Sequence, residues 1–167
     1  MATVVTPDLP GVARAFNEAG AEYVVIGGFA LAALQYVRAT DDSDLLIPDS
    51  EDNHARVFAA LGALEAQPKS GQPLSEELVA GSEHLRLYSD SGKIDLLKEG
   101  APPLDFETVR GESTVEDVAG VPIRFAGLAS VVAFKRLAGR PRDRLDIEEL
   151  ELIHGPIPKI DIPGLDS

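Results

Sequence analysis

Asp42 and Asp44 stand two residues apart at the head of the apolar run Leu45-Leu46-Ile47, about 15 residues after a glycine pair, Gly27-Gly28. On a strand, alternate side chains point the same way. Two carboxylates would then face one point, and like charges that close are costly unless something neutralises them. A divalent cation with oxygen ligands does so, and magnesium commonly takes one or two carboxylates together with substrate phosphates. The spacing alone carries little information. The chain has five acid-x-acid pairs, at 42/44, 49/51, 105/107, 146/148 and 149/151, about the number that chance placement gives. The other four fall in apparent helices or at a helix start, where residues two apart do not share a face.

Gly27 and Gly28 follow the apolar run Tyr23-Val24-Val25-Ile26 and precede a short apolar helix. A bare glycine pair there is commonly a tight turn. Glycines also let a backbone approach a ligand closely, and helix N-terminal N–H groups bind phosphate. Joined to the carboxylate pair by a strand–helix–strand unit, they suggest a metal–nucleotide site. Asp95 is a lone acid between Ile94, Leu96 and Leu97 on a predicted central strand. It points either to solvent or to the same site, and its apolar neighbours favour the site. The densest basic stretch holds Lys135, Arg136, Arg140, Arg142 and Arg144. It reads equally as a substrate-facing patch or as a helix face bridged to Asp143, Asp146 and Glu148. His54, His84 and His154 are scattered and suggest neither a metal triad nor a base.

The elements that must position these residues follow from periodicity and capping. A first helix starts after Pro7 and ends near Gly20, with Val12, Ala13, Phe16 and Ala19 at helical spacing. A strand over 22–28, a short helix over 29–37 and a strand over 42–47 come next. Ser50 caps a helix over 51–65. Residues 66–77 read as a loop. Two hairpins follow, one turning at 89–92 and one at 119–122, with one or two helical turns over 105–112 between them. Two helices end the chain, parted by Gly139 and Pro141. The order implies an α+β (mixed α/β) fold with one sheet flanked by helices and a C-terminal helical pair. The domain is expected over 1–152, with an extended tail over 153–167.

With 167 residues and 44% hydrophobic content, one domain with a real core is expected. Fifteen basic against 28 acidic residues give a net charge of −13. That opposes electrostatic capture of long nucleic acids or anionic membranes. The absence of cysteine excludes disulfides, a thiol nucleophile and a zinc–thiolate site. Neither a basic N-terminal region with an apolar run nor an apolar stretch of roughly 18 residues is present. A soluble cytoplasmic protein is expected.

The stretch from Gly27 to Ile47 resembles the nucleotidyltransferase superfamily that includes polymerase beta and many small bacterial transferases. The superfamily pattern is a Gly-Gly or Gly-Ser pair, about a dozen residues, then acid-x-acid on a strand. Arg38, Thr40, Asp42 and Asp44, each two apart, resemble the small bacterial branch, some of whose members are toxins of toxin–antitoxin pairs. A second match lies at 127–151, where a Leu-Ala-Ser helix start leads to Lys135, Arg140, Asp143 and Asp146. The resemblance spans about residues 22–152. It implies transfer of a nucleotidyl group from a nucleoside triphosphate to an acceptor hydroxyl, with two Mg2+ ions, or Mn2+ in their place. Asp42, Asp44 and Asp95 would be the catalytic and metal-binding acids, with Asp95 as general base or metal ligand. Gly27, Gly28, Arg38, Thr40, Lys135 and Arg140 would bind the nucleotide, Lys135 at the triphosphate. The acceptor is a small molecule, a protein or an RNA end. Generic nucleic acid should bind weakly or not at all, and an antitoxin or a second copy is a candidate partner. The alternative is a non-catalytic nucleotide-binding or antitoxin-like partner domain on the same fold.

Two residues depart from the superfamily pattern. Ser43 stands between the aspartates where an apolar residue is usual, on the strand face shared with Leu45 and Ile47. Phe29 replaces the common serine after the glycines. Neither change removes a charge.

Overall fold

The computed structural model describes residues 6–157 and 159–166. The N-terminal residues 1–5, part of the stretch read above as carrying no leader, lie outside the described residues, as do Pro158 and Ser167 of the tail. In chain order the elements are α1 (Leu9–Glu18), β1 (Val24–Ile26), α2 (Gly28–Ala33), β2 (Asp42–Ile47), α3 (Glu51–Ala63), β3 (Gln67–Pro68) and α4 (Glu76–Gly81). They continue with β4 (His84–Ser89), β5 (Gly92–Lys98), α5 (Phe106–Glu112), β6 (Thr114–Val118), β7 (Val121–Phe125), α6 (Leu128–Ala138) and α7 (Pro141–His154). The seven strands form one mixed sheet in the order β3-β4-β5-β2-β1-β7-β6. The fold is therefore the expected α+β class, one sheet flanked by helices with a C-terminal helical pair.

Local chemistry explains most boundaries. Ser50 accepts a hydrogen bond from the Asn53 N–H at 3.3 Å and starts α3. Gly139 takes a left-handed conformation, φ 63°, which ends α6, and Pro141 opens α7. The stretch read as a loop over 66–77 is instead partly ordered. Ser75 caps α4 by accepting from the Leu78 N–H at 3.1 Å, and the helix buries Val79. β3 is two residues long and exists because Gln67 and Pro68 pair with Tyr88 and Leu87. A pairing between distant residues leaves no periodic signal in so short a segment.

The sheet has two unlike faces. On one, Val25, Leu45, Leu87, Ile94 and Leu96 pack against α1, α3 and α4 through Phe16, Leu61 and Val79. On the other, Val24, Ile26 and Leu46 lie under Leu31 of α2, Phe106 of α5, Val131 of α6 and Leu150 of α7. That second cover spans β1 and the end of β2. It leaves the outward residues His84, Arg86 and Tyr88 of β4 and Lys93 of β5 exposed. β2 is thus buried on both faces near its end and polar at its start, which is why Leu45, Leu46 and Ile47 form an uninterrupted apolar run.

Beyond α7, which runs to His154, the tail is anchored to the body and turns at 163–165. Ile162 is buried against Leu104 and Ala133. The Arg136 guanidinium donates to the Ile160 carbonyl at 3.0 Å and pairs with Asp166. No helix among the described residues is long and apolar enough to cross a membrane.

Candidate active site

The site begins with strand register. β2 and β5 run parallel with Asp44 opposite Asp95 and Asp42 opposite Lys93. Opposed residues share a face, so Asp42, Asp44 and Asp95 all project from the side left partly open by the helices. One carboxylate oxygen of each lies within 4.8 Å of the others, the one such cluster of three potential ligand groups among the described residues. Asp44 is the most constrained. Burial, then the charges of Asp95 and Asp42 and a hydrogen bond to Asp95, push its pKa up to about 8. Burial and the Asp95 charge also raise Asp42, which Lys93 partly offsets. Three carboxylates this close, two of them biased toward the protonated form by burial and by one another, make a site that a cation with oxygen ligands fits.

The glycines close one wall. Gly27 has φ 73° and ψ −149°, a conformation that L side chains avoid. A Cβ there would stand 2.1 Å from Asp44 Oδ2, and one on Gly28 would stand 2.6 Å from Thr40 Oγ1. Gly27 lets the backbone pass this close to Asp44, and Gly28 lets it pass this close to Thr40. Thr40 donates its hydroxyl to the Asp42 carbonyl at 3.2 Å and so fixes the entry to β2.

A cleft of about 430 Å3 contains the three aspartates, Gly27, Gly28, Thr40, Lys135 and Arg140. Of the nine residues read from the sequence as site residues, eight line it. Arg38 does not: its guanidinium pairs with Asp146 at 3.1 Å. Asp146 in turn meets Lys135 at 2.8 Å, and Lys135 meets Asp143 at 3.3 Å. Arg140 reaches Asp143 through Nε at 2.7 Å. Burial pushes Asp143 up, but the side-chain and backbone hydrogen bonds of Arg140 and the charge of Lys135 outweigh it and hold the carboxyl at about 2. The basic stretch is thus both a cleft wall and a buried ion network. Arg136 belongs to neither, being held by the tail.

Two cleft residues escaped the sequence reading. His84 Nε2 lies 3.8 Å and Arg86 Nε 3.6 Å from Asp95 Oδ1. Scattered along the chain, the three histidines suggest no common site. The hairpin turning at 89–92 does pair β4 with β5 and set Arg86 opposite Asp95, but the sequence does not show that this face opens on the cleft.

Three solved structures share this architecture. One is ANT(2'')-Ia in complex with adenylyl-2''-tobramycin, with TM-score 0.56 and 15% identity over 86% of this chain and 90% of that one. The chain has a nucleotidyltransferase-like fold. A solution structure of the antibiotic-resistance factor ANT(2'')-Ia aligns with TM-score 0.55 and 16% identity, covering 86% and 85% of the two chains. An antigenic nucleotidyltransferase-like protein from Paracoccidioides brasiliensis aligns with TM-score 0.57 and 16% identity, covering 87% of this chain and 75% of that one. No family model and no curated protein matches the chain. Within this nucleotidyltransferase-like fold, Gly27-Gly28 and Asp42-x-Asp44 lie at the β1–α2 junction and on β2.

Proposed function

We propose that the protein transfers a nucleotidyl group from a nucleoside triphosphate to an acceptor hydroxyl. The convergence of Asp42, Asp44 and Asp95 within 4.8 Å beside the Gly27-Gly28 turn carries this reading. Asp42 and Asp44 would hold divalent ions, Mg2+ first and Mn2+ in its place. When bound, a pair of such ions activates the attacking oxygen and stabilises charge on the transferring phosphoryl group. The backbone at Gly27 and Gly28 cradles phosphate oxygens, with Thr40 beside it. Lys135 and Arg140 face the triphosphate from α6 and the start of α7. Arg38 supports them indirectly by fixing Asp146. An Asp95 carboxylate oxygen accepts the proton of the acceptor hydroxyl or completes the ion site. The acceptor oxygen then bonds to the α-phosphorus as the bond to the β-phosphate oxygen breaks, and pyrophosphate leaves.

The Arg38-x-Thr40-x-Asp42-x-Asp44 pattern resembles the small bacterial branch, which supports including a toxin role with an antitoxin partner in this proposal. The test is incubation with Mg2+ and α-phosphate-labelled triphosphates in the presence of fractionated small molecules, RNA or protein. Label should move to one fraction with wild-type protein and to none with Asp42→Asn or Asp44→Asn. Nucleotide binding without transfer to any fraction would sink the enzymatic reading and leave a non-catalytic binding domain. Growth arrest on expression, lost with Asp44→Asn, would support the toxin role, and unaffected growth would reject it.

A further inference from the structure

The sheet face beyond the carboxylates is not covered. Tyr88 stands opposite Lys93 across β4 and β5, and Lys93 stands opposite Asp42 across β5 and β2. Lys69, just after β3, is tied to this row by its N–H, which donates to the Arg86 carbonyl at 2.8 Å. A hollow of about 120 Å3 results, lined by Lys69, Tyr88 and Lys93 and sharing Arg86, Asp42 and Asp95 with the main cleft. Arg86 leans toward Asp95 at 3.6 Å. Lys69 and Lys93 make no ion pair with any described residue within 4.0 Å. In a chain of net charge −13, three cations gathered round one small hollow are not a dispersed solvated face.

The hollow also has a defined place in the reaction. In-line displacement puts the attacking oxygen and the leaving group on opposite sides of the phosphorus. Gly27, Gly28, Lys135 and Arg140 form the wall proposed for the triphosphate. The hollow lies on the β4 side of the same carboxylates, where the acceptor must enter. We infer, on the basis of the proposed nucleotidyl transfer, that the acceptor is a small phosphorylated molecule, its phosphate held by Lys69, Arg86 and Lys93 and its hydroxyl beside Asp95. A phosphate dianion can take a donor from each of the three cations. The half-exposed Tyr88 ring offers a flat surface for the body of the molecule. A polycationic acceptor would meet like charge here. The hollow is also short for a polynucleotide, whose non-specific affinity needs many cations.

The experiment uses the isotope-labelled full chain, saturated with Mg2+ and a non-hydrolysable triphosphate analogue, and follows backbone amides by NMR. Ribose 5-phosphate should shift Lys69, Tyr88 and Lys93, while ribose and tobramycin should not. The Lys69→Ala/Lys93→Ala double variant should weaken ribose 5-phosphate binding at least tenfold, with its melting temperature and its affinity for the analogue within twofold of wild type. Equal shifts from ribose, binding of tobramycin in the hollow, or an unaltered affinity in the double variant would overturn the inference. So would a single-stranded oligoribonucleotide that binds the hollow ten times more tightly than ribose 5-phosphate. Amide shifts at Gly27, Gly28 and Lys135 on addition of the analogue report the nucleotide site separately. If they occur and the hollow stays silent, this inference alone fails. If they are absent, the nucleotidyl-transfer reading fails and takes the acceptor assignment with it.

Discussion

Asp44 of β2 and Asp95 of β5 stand opposite each other across two parallel strands, with carboxylate oxygens within 4.8 Å. Burial, then the charges of Asp95 and Asp42, raise Asp44 to about 8, so near neutral pH the ion-free site keeps a proton on Asp44. The site's stability, its affinity for cations and its chemistry are therefore tied to one pair of side chains.

The first prediction concerns pH. The pKa of Asp44 in the folded chain lies above the ordinary carboxylate value of 3.8. Stability from the protonated form is thus fully present below about pH 4 and is lost as pH rises through about 8. The ion-free protein should melt at a falling temperature over that window. Asp44→Asn, which needs no proton, should flatten the fall and gain on the order of 1–3 kcal/mol near pH 8. The same variant should lose the melting shift that Mg2+ and a triphosphate give the wild type. Thermal melts from pH 5 to 9, with and without ligand, measure both effects, and a wild-type ligand shift in Asp44→Asn would remove Asp44 from the ion site.

Gly27→Ala should fail in two ways. Its φ of 73° strains any L residue, and the new Cβ would meet Asp44 Oδ2 at 2.1 Å. We expect a loss of about 2 kcal/mol or more and displacement of Asp44 from the other two acids. Chemical denaturation reads the first, and the Mg2+-dependent triphosphate shift reads the second.

Lys135→Ala should be a folding variant as well as a binding variant. Lys135 is buried and lies within 3.3 Å of Asp143 and 2.8 Å of Asp146. Removing one partner of a buried ion network costs about 3–5 kcal/mol, here less because Arg140 and Arg38 remain. Denaturant midpoints should fall accordingly. A variant as stable as wild type would show the network to be slack.

At acid pH the sign reverses. Asp143 is held at about 2, below the ordinary 3.8, so its stabilisation is present above about pH 4 and is lost as pH falls through 2. Asp143→Asn should be less stable than wild type at neutral pH, with the gap closing below pH 3. A difference that stays constant across pH would show that packing rather than charge holds α7.

Ser43 is fully buried, and its hydroxyl has no hydrogen-bond partner among the described residues. Ser43→Ala should raise stability by about 1 kcal/mol, with nucleotide binding unchanged because Ser43 faces away from the cleft. A destabilised Ser43→Ala would point to a partner such as buried water.

The sequence by itself determined what is local. The period-two placement of Asp42 and Asp44 put both on one strand face, and Gly27-Gly28 marked a turn after the strand, at which Gly27 takes φ 73°. Ser50, Gly139 and Pro141 marked helix ends because capping acts within a few residues. Ser75 carried the same kind of signal for α4, though it went unread. Tertiary structure decided which strand lay beside which. Asp95 joins Asp44 only because β5 pairs with β2 in that register, and 51 residues separate the two in the chain. Pairing at that range depends on the whole core, not on neighbours in sequence. The same physics turned Arg38 away toward Asp146 and left bare the strip of sheet bearing Tyr88 and Lys93, whereas Arg86 meets Asp95 through the local hairpin at 89–92. Which face a helix covers is settled only when all the apolar surfaces compete for burial at once.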